Sequence, residues 1–251
     1  MRPLQTDLSI FEKLKFEKPP LGVKFQFFKP EGIEQLDKKL GFCEMIGEAQ
    51  QRGKPFYFTK ENEDCFGTVP LGMEPMPPWG EGGYLGEKFE IFQEARANSK
   101  IYLYLPKFPL GTVNYVAFST LDKLTFEPDL LILTATTSQA EIVMRAMAYS
   151  TGEPWESKKT GVLGCAWMFV YPHQSGKVNY MPTGMTFGTK AHQAFEEGWI
   201  LISIPYNWIP IITQNLKEMK WVLPSYTDGR EKFLKRKDGY LMELDQASQN
   251  P

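Results

Sequence analysis

The sequence predicts a mixed α+β fold made of two structurally similar halves, which come from an internal duplication and pack as one pseudo-two-fold unit. Apolar runs of β-rich residues precede segments with helical spacing at two places in the chain. The pattern Ala-x-x-x-Gly-x-Pro closes both helical segments, at residues 49–55 and again 99 residues later at 148–154. Further landmarks follow each pattern in the same order, which a duplicated chain would produce.

The first half opens on a strand and continues into a helix. Residues 22–28 alternate as a half-buried strand does. Helical spacing over 33–52 follows, with Gly53 as the predicted C-terminal cap and Pro55 as a stop. The apolar positions that carry this spacing are Ile33, Leu36, Leu40, Met45, Ile46 and Ala49.

The second half repeats this order with a more deeply buried strand. Residues 130–134 are continuously apolar, as in a strand covered on both faces. Ser138 and Glu141 have the spacing of a capping box, which predicts that the second helix begins there. Cys65 and Cys165 follow the two helices at matching distances, and the apolar runs 101–106 and 200–205 come later still.

These landmarks divide the chain into residues 18–120, residues 121–220 and a C-terminal tail over 221–251. Residues 67–86 fall outside the repeat as a long loop rich in Gly and Pro. Because apolar residues stand among its turn formers, we expect this loop to cover a site. The tail is predicted to be a terminal helix or a frayed end.

Composition excludes several classes of protein. The formal net charge is −2, so bulk electrostatic binding of nucleic acid is not expected. The most apolar stretch, residues 198–212, contains two prolines and is shorter than the roughly 20 residues of a membrane span. No signal peptide is recognised at the N-terminus, which predicts a cytoplasmic protein whose three cysteines are thiols or ligands.

Several short segments together resemble the DUF169 family of uncharacterised prokaryotic proteins. The resemblance covers roughly residues 18–217 and rests on the order and spacing of the segments 19–25, 42–45, 65–67 and 128–131, with Cys165 and residues 204–205 further on. Thr68 departs from the pattern, in a stretch where relatives are often richer in glycine. The resemblance implies a small cytoplasmic protein, often from anaerobes, and implies no agreed biochemical role.

The cysteines are the first candidates for chemistry. Cys65 and Cys165 occupy matching places in the two halves, and Cys43 lies on the first predicted helix. Three converging thiolates are the ligands of an iron–sulfur cluster, and they also suit another metal such as zinc with a histidine. Against this, the chain has no Cys-x-x-Cys pair, and free cysteines are often merely small buried residues.

Aromatic and methionine side chains offer a second type of site. Trp79, Trp167, Tyr180 and Met185 fall in predicted irregular segments and are candidate walls for a flat cofactor such as a tetrapyrrole or flavin. Core packing explains such residues equally well. A cysteine–histidine nucleophile pair, for example Cys165 with His173, would need the imidazole within hydrogen-bond reach of the sulfur.

The first functional hypothesis is a cofactor-binding protein that holds an iron–sulfur cluster or another metal through Cys43, Cys65 and Cys165, in electron transfer or cofactor handling. The alternative is a metal-free module that binds a small molecule between the two halves, with structural cysteines. A cysteine-dependent enzyme is a third hypothesis. A protein partner or homo-oligomer is compatible with each of the three, whereas a membrane partner is not expected.

Overall fold

The computed structural model describes residues 6–249. Residues through Lys217 form one compact unit, and the residues from Glu218 onward form a second. The first unit is built on seven strands: β1 (Leu21–Gln26), β2 (Glu34–Gln35), β3 (Phe56–Phe58), β4 (Tyr115–Thr120), β5 (Leu130–Ala135), β6 (Asn179–Pro182) and β7 (Ile200–Pro205).

Ten α-helices accompany the strands within the described residues: α1 (Glu44–Arg52), α2 (Pro78–Glu81), α3 (Tyr84–Lys88), α4 (Ala95–Tyr102), α5 (Thr137–Tyr149), α6 (Tyr171–Ser175), α7 (Phe187–Ala191), α8 (Ile209–Glu218), α9 (Pro224–Thr227) and α10 (Gly229–Gln249). A π-helix over Ala166–Val170 precedes α6. Of the helices in residues 6–249, none has the length and apolar character needed to cross a membrane. The predicted α+β class is confirmed.

The sheet has the order β2-β3-β4-β1-β5-β7-β6, and every neighbouring pair is antiparallel except β2 with β3. At its centre Val23 lies opposite both Phe118 and Leu130. From this centre the first predicted half gives the order β1-β4-β3 and the second gives the matching order β5-β7-β6, and β2 is an additional strand of the first half. A duplication would give this order, but the duplication itself stays a prediction.

The two strand-and-helix segments pack as their patterns indicate. Helix α1 packs against β1 and β4, and α5 packs against β5 and β7. Gly53 ends α1 with a positive φ of 66°, as predicted for a C-terminal cap. One continuous apolar cluster joins Met45, Ile46 and Ala49 of α1 to the buried faces of the central strands. This cluster includes Phe42, which also lines the site described below, and Phe169.

Three predicted elements are wrong in their bounds. Helix α1 begins at Glu44 rather than near 33, because residues 34–35 pair with β3 and the Leu36 amide donates to Tyr57 O at 2.7 Å. Ile33 and Leu36, which flank this extended segment, are buried, and their three-residue separation in sequence resembles the spacing of a helix. The cap of α5 is Thr136 with Gln139, not Ser138. The apolar run 101–106 does not form a strand as its counterpart 200–205 does. It begins in the last residues of α4, and the strand that follows in the first half is β4.

Residues 67–86 contain more helix than the predicted loop would, and the tail takes the helical form of its two predicted alternatives. The first segment holds α2 and the start of α3, which continues towards α4. The tail, which makes up most of the second compact unit, holds α9 and the 21-residue helix α10. The helices that follow the glycine-rich segment form one wall of the candidate site.

Candidate functional site

A cavity of about 420 Å³ lies within the first compact unit. Its lining comes from five stretches of chain, at 42–43, 63–67, 85–102, 162–165 and 187–192. The first three belong to the predicted first half and the last two to the second. We call it the cysteine cavity because Cys43, Cys65 and Cys165 all line it. Its volume lies in the range of small-molecule sites.

The walls of the cysteine cavity are largely apolar. The lining residue Phe42 is fixed in place, because its ring stacks on Phe169 with 4.1 Å between ring centroids. The rings of two other lining residues, Phe89 and Phe187, approach to 5.3 Å. The remaining apolar lining residues are Phe66, Leu85, Ile91, Val162, Leu163 and Ala191. Such walls favour an apolar or aromatic ligand body.

Asn98, on α4, is the polar residue of the wall whose hydrogen bonding is incomplete. It is only 1% exposed, and its Nδ2 donates to Gly83 O at 3.1 Å and to Tyr102 Oη at 3.3 Å. The carbonyl of Gly83 can only accept, so Nδ2 must face it and the amide cannot be flipped. Oδ1 then has no hydrogen-bond partner in the described structure. A buried acceptor without a partner is costly unless something else supplies a donor.

Two glycines let α3 and the preceding turn approach Asn98 closely. Gly83 has a φ of +76°, and a Cβ there would lie 2.1 Å from Ala95 O. A Cβ on Gly86 would lie 2.4 Å from Asn98 Nδ2 and 2.8 Å from Phe92 Cδ2. Both positions therefore exclude a side chain for reasons of packing. The glycine-rich composition of this segment serves the placement of the amide.

The three thiols of the cavity are free. Burial raises the pKa of Cys43 to about 12 and, with Glu63 as the next cause, that of Cys65 to about 11. Burial also raises the pKa of Cys165. Cys65 is exposed, whereas Cys43 and Cys165 are half-buried. All three side chains are therefore neutral thiols at neutral pH.

The predicted metal centre through Cys43, Cys65 and Cys165 is wrong. Across residues 6–249 no group of three or more Cys, His, Asp or Glu side chains is placed to hold a metal ion. The thiols share the wall of a cavity without forming a coordination site. The reason is geometric, because lining one cavity does not by itself place three sulfur atoms around a single ion.

A carboxylate and an imidazole stand beside Cys65. Glu44 Oε2 lies 3.0 Å from His192 Nδ1 and accepts the Gly41 amide at 2.7 Å. His192 directly follows α7 and lines the cavity. Glu63 holds two segments of the cavity wall in place. Its Oε1 accepts the backbone amide of Phe42 and its Oε2 accepts that of Cys65, both at 3.1 Å.

His173, the other histidine, lies off the cavity lining. Its ring makes edge contacts with Phe25 at 5.2 Å and Phe108 at 5.0 Å between centroids, and burial lowers its pKa. The suggested pair of Cys165 with His173 is therefore not assembled at this cavity. The histidine that shares the cavity with the cysteines is His192.

The four aromatic and methionine candidates do not line the cysteine cavity. Trp79 is about half exposed on α2 and touches Phe66 edge-on, and Met185 is exposed. Trp167 is buried in the π-helix, where its indole N–H donates to Thr160 Oγ1 at 2.7 Å. Tyr180 is half-buried on β6. A common wall formed by these four residues, and with it a tetrapyrrole or flavin site, stays a prediction.

A second and larger space, of about 750 Å³, lies over residues 69–76 and 99–110. We call it the loop cavity. Leu103 and Leu110 at its edge are largely exposed. Tyr102 lines both cavities. No unpartnered buried polar side-chain atom of the described residues lies in the lining of the loop cavity.

Sequence patterns did not single out Asn98, Glu44 or Gly41. Glu44 lies inside one of the segments that carry the family resemblance, which was the available signal for it. No sequence pattern points to Asn98. It stands out only in the folded structure, where packing leaves its Oδ1 without a hydrogen-bond donor.

Comparison with known proteins gives a family and one relative. The family model for uncharacterised ArCR proteins, DUF169, matches residues 9–215. The uncharacterized protein MJ0308 of Methanocaldococcus jannaschii is 23% identical over 218 residues, which cover 85% of this chain and 93% of that protein. No solved structure gives a significant match.

Proposed function

The chain belongs to the DUF169 family, and from that premise and the cysteine cavity we propose that it binds a small, largely apolar molecule carrying an N–H or O–H donor. This function corresponds to the second hypothesis from the sequence, a metal-free module that binds a small molecule. The lining comes from both predicted halves, as a ligand site between them requires. The observation that carries the proposal is Asn98, which lines the cavity and whose buried acceptor Oδ1 lacks a donor.

The ligand's body is set by the walls and its polar end by Asn98. The rings of Phe42, Phe89 and Phe187 favour an aromatic or otherwise flat apolar body. The amide orientation is locked through Gly83, so a ligand atom facing Oδ1 must donate. The cysteines contribute neutral, polarisable surface in this role. Three free thiols also fit a reducing compartment such as the cytoplasm.

The experiment compares two probes of the same shape. Indole carries an N–H donor where benzofuran carries an oxygen acceptor. We expect isothermal titration calorimetry to give about tenfold tighter binding for indole, which is about 1.4 kcal/mol. The preference should disappear in Asn98→Leu, which has no acceptor at this position.

Asn215→Leu is the matched control. Asn215 is also buried, and its Nδ2 donates to Ala146 O and Ser150 Oγ, both at 2.8 Å, but it does not line the cysteine cavity. This variant should be destabilised and still prefer indole. Equal binding of indole and benzofuran by the unaltered protein, or no binding of either, would refute the proposal.

A further inference from the structure

Cys65, His192 and Glu44 meet at one point beside the backbone of Gly41. A Cβ built on Gly41 would lie 3.5 Å from Cys65 Cβ, 3.3 Å from His192 Cε1 and 3.0 Å from Glu44 Oε2. Because Gly41 has no side chain, open space remains beside Cys65 Cβ and the Cε1 edge of the His192 imidazole. Both Cys65 and His192 also line the cysteine cavity.

Glu44 fixes which nitrogen of His192 is available. Its Oε2 lies 3.0 Å from Nδ1, so Nδ1 carries the proton of the neutral ring and Nε2 is left as the acceptor. A carboxylate that orients a histidine in this way is the usual partner of a general base. Glu44 is held in turn by the Gly41 amide at 2.7 Å.

Asn98 supplies an independent sign that a ligand occupies the same cavity. Its Oδ1 is buried without a partner, and the residue lines the space that Cys65 and His192 line. Cys65 differs from the other two cysteines because it is exposed and stands at the meeting point beside Gly41. The thiol best placed to react is therefore also the most accessible one.

We propose that Cys65 and His192 are a reactive pair that adds the thiol to an electrophilic carbon of a ligand held in the cysteine cavity, with Glu44 as the positioning residue. This inference rests on the proposed function for the place of binding and adds a reaction to it. The ligand class is an apolar molecule with a carbonyl-conjugated double bond.

The step balances without an oxidant or a leaving group. The Cys65 thiol gives its proton to Nε2 of His192 while a sulfur lone pair forms the S–C bond to the β-carbon of the double bond. The π electron pair moves to the α-carbon, which then takes the proton from the imidazolium. The product is a thioether in which the double bond has become a single bond.

The surroundings of Cys65 explain why a base is needed. Burial and the negative charges of Glu63, Asp64 and Glu44 raise its pKa, and the neutral thiols of Cys43 and Cys165 face the same cavity. A thiol in this environment does not ionise by itself near neutral pH. A neighbouring imidazole that accepts the proton during attack removes this barrier.

N-ethylmaleimide is a suitable probe, because it reacts by this addition. The rate of labelling is followed for each cysteine-containing peptide by mass spectrometry, on the full-length protein, from about pH 6 to about pH 9. We expect His192→Gln to slow labelling of Cys65 by roughly 100-fold at neutral pH. The Cys43 and Cys165 peptides serve as references within each sample, and His173→Gln is the matched histidine control.

The pH profile separates base catalysis from altered access. The ratio of the Cys65 rate in the unaltered protein to that in His192→Gln should shrink as pH rises, because ionisation of the thiol in alkaline solution replaces the imidazole base. Glu44→Gln should lower the Cys65 rate at neutral pH and leave the other two peptides unchanged. An unchanged Cys65 rate in His192→Gln, or equal slowing of all three cysteines, would overturn the proposal.

Gly41→Ala provides a second variant should His192→Gln fail to fold. Gly41 does not have a positive φ, so alanine fits the backbone while its methyl group displaces the imidazole. Cys65 labelling should again slow selectively, and an unchanged rate would count against the pair. Indole titration of the unaltered protein distinguishes the two proposals, because a preference for indole over benzofuran would support the proposed function even if His192→Gln left the Cys65 labelling rate unchanged.

Discussion

The cysteine cavity and the loop cavity differ in an instructive way. The loop cavity is larger, at about 750 Å³ against 420 Å³, yet its edge is formed by exposed side chains such as Leu103 and Leu110. The cysteine cavity is smaller and is lined by three cysteines, by His192 with its oriented imidazole, and by Asn98, whose buried amide oxygen is unpaired. Volume alone therefore does not mark a site.

The two cavities differ in how much the residues of their walls lower the stability of the folded state. The unpaired buried acceptor of Asn98 is an environment that the fold maintains although simpler apolar packing would be more stable. The exposed leucines of the loop cavity carry no such cost, since single apolar side chains at a surface are common. Costly polar groups that converge on one space indicate function more strongly than empty space does.

The largest expected effect compares one residue from each cavity. Phe42→Ala removes a ring that is 1% exposed and stacks on Phe169, so it should cost about 3–5 kcal/mol of unfolding free energy. Leu103→Ala removes a side chain that is 82% exposed and should change stability by no more than about 0.5 kcal/mol. Urea denaturation measures both. Equal losses of unfolding free energy in the two variants would show that the lining side chains of the two cavities contribute equally to stability.

Alkaline stability tests the environment of the thiols. Burial raises the pKa of Cys43 from 9.0 to about 12 in the folded state, so the unfolded chain loses this proton first as pH rises. Stability that is fully present below about pH 9 should therefore decline towards about pH 12, by at most about 1.4 kcal/mol per pH unit for this thiol.

Cys43→Ser removes the titrating group and should lose less stability over this range than the unaltered protein does. Denaturation at about pH 8 and about pH 10 compares the two slopes. A steeper decline in Cys43→Ser would contradict the assignment of a buried neutral thiol.

The smallest expected effect concerns Gly86, which touches the amide of Asn98. The added methyl group of Gly86→Ala would lie 2.4 Å from Nδ2, so Asn98 must shift and the affinity for indole should fall by about fivefold, or about 1 kcal/mol. Gly47→Ala is the control, because a Cβ there meets no atom within 4 Å. If calorimetry finds the same indole affinity for Gly86→Ala and Gly47→Ala, the close contact between Gly86 and Asn98 does not contribute to indole binding.

The sequence predicts the parts of the fold that local patterns control. Strands β1 and β5 and the glycine cap of α1 agree with prediction, because alternation, apolar runs and a glycine with positive φ are local signals. The helix predicted from residue 33 fails because β2 pairs with a strand that lies distant in sequence. Local spacing cannot reveal that pairing.

The site was predictable only in part for the same reason. The three cysteines do share one cavity, but whether sulfurs form a coordination site depends on side-chain directions and solvation that spacing does not encode. Asn98 was not predictable, because its unpaired oxygen results from the way α3 and α4 pack.

The calorimetric ratio of the dissociation constants of indole and benzofuran tests the central claim most directly. If Asn98 Oδ1 awaits a donor at the cysteine cavity, indole should bind about tenfold more tightly to the unaltered protein and with no advantage to Asn98→Leu. Equal affinities in the unaltered protein, or a preference that persists in Asn98→Leu, would contradict it.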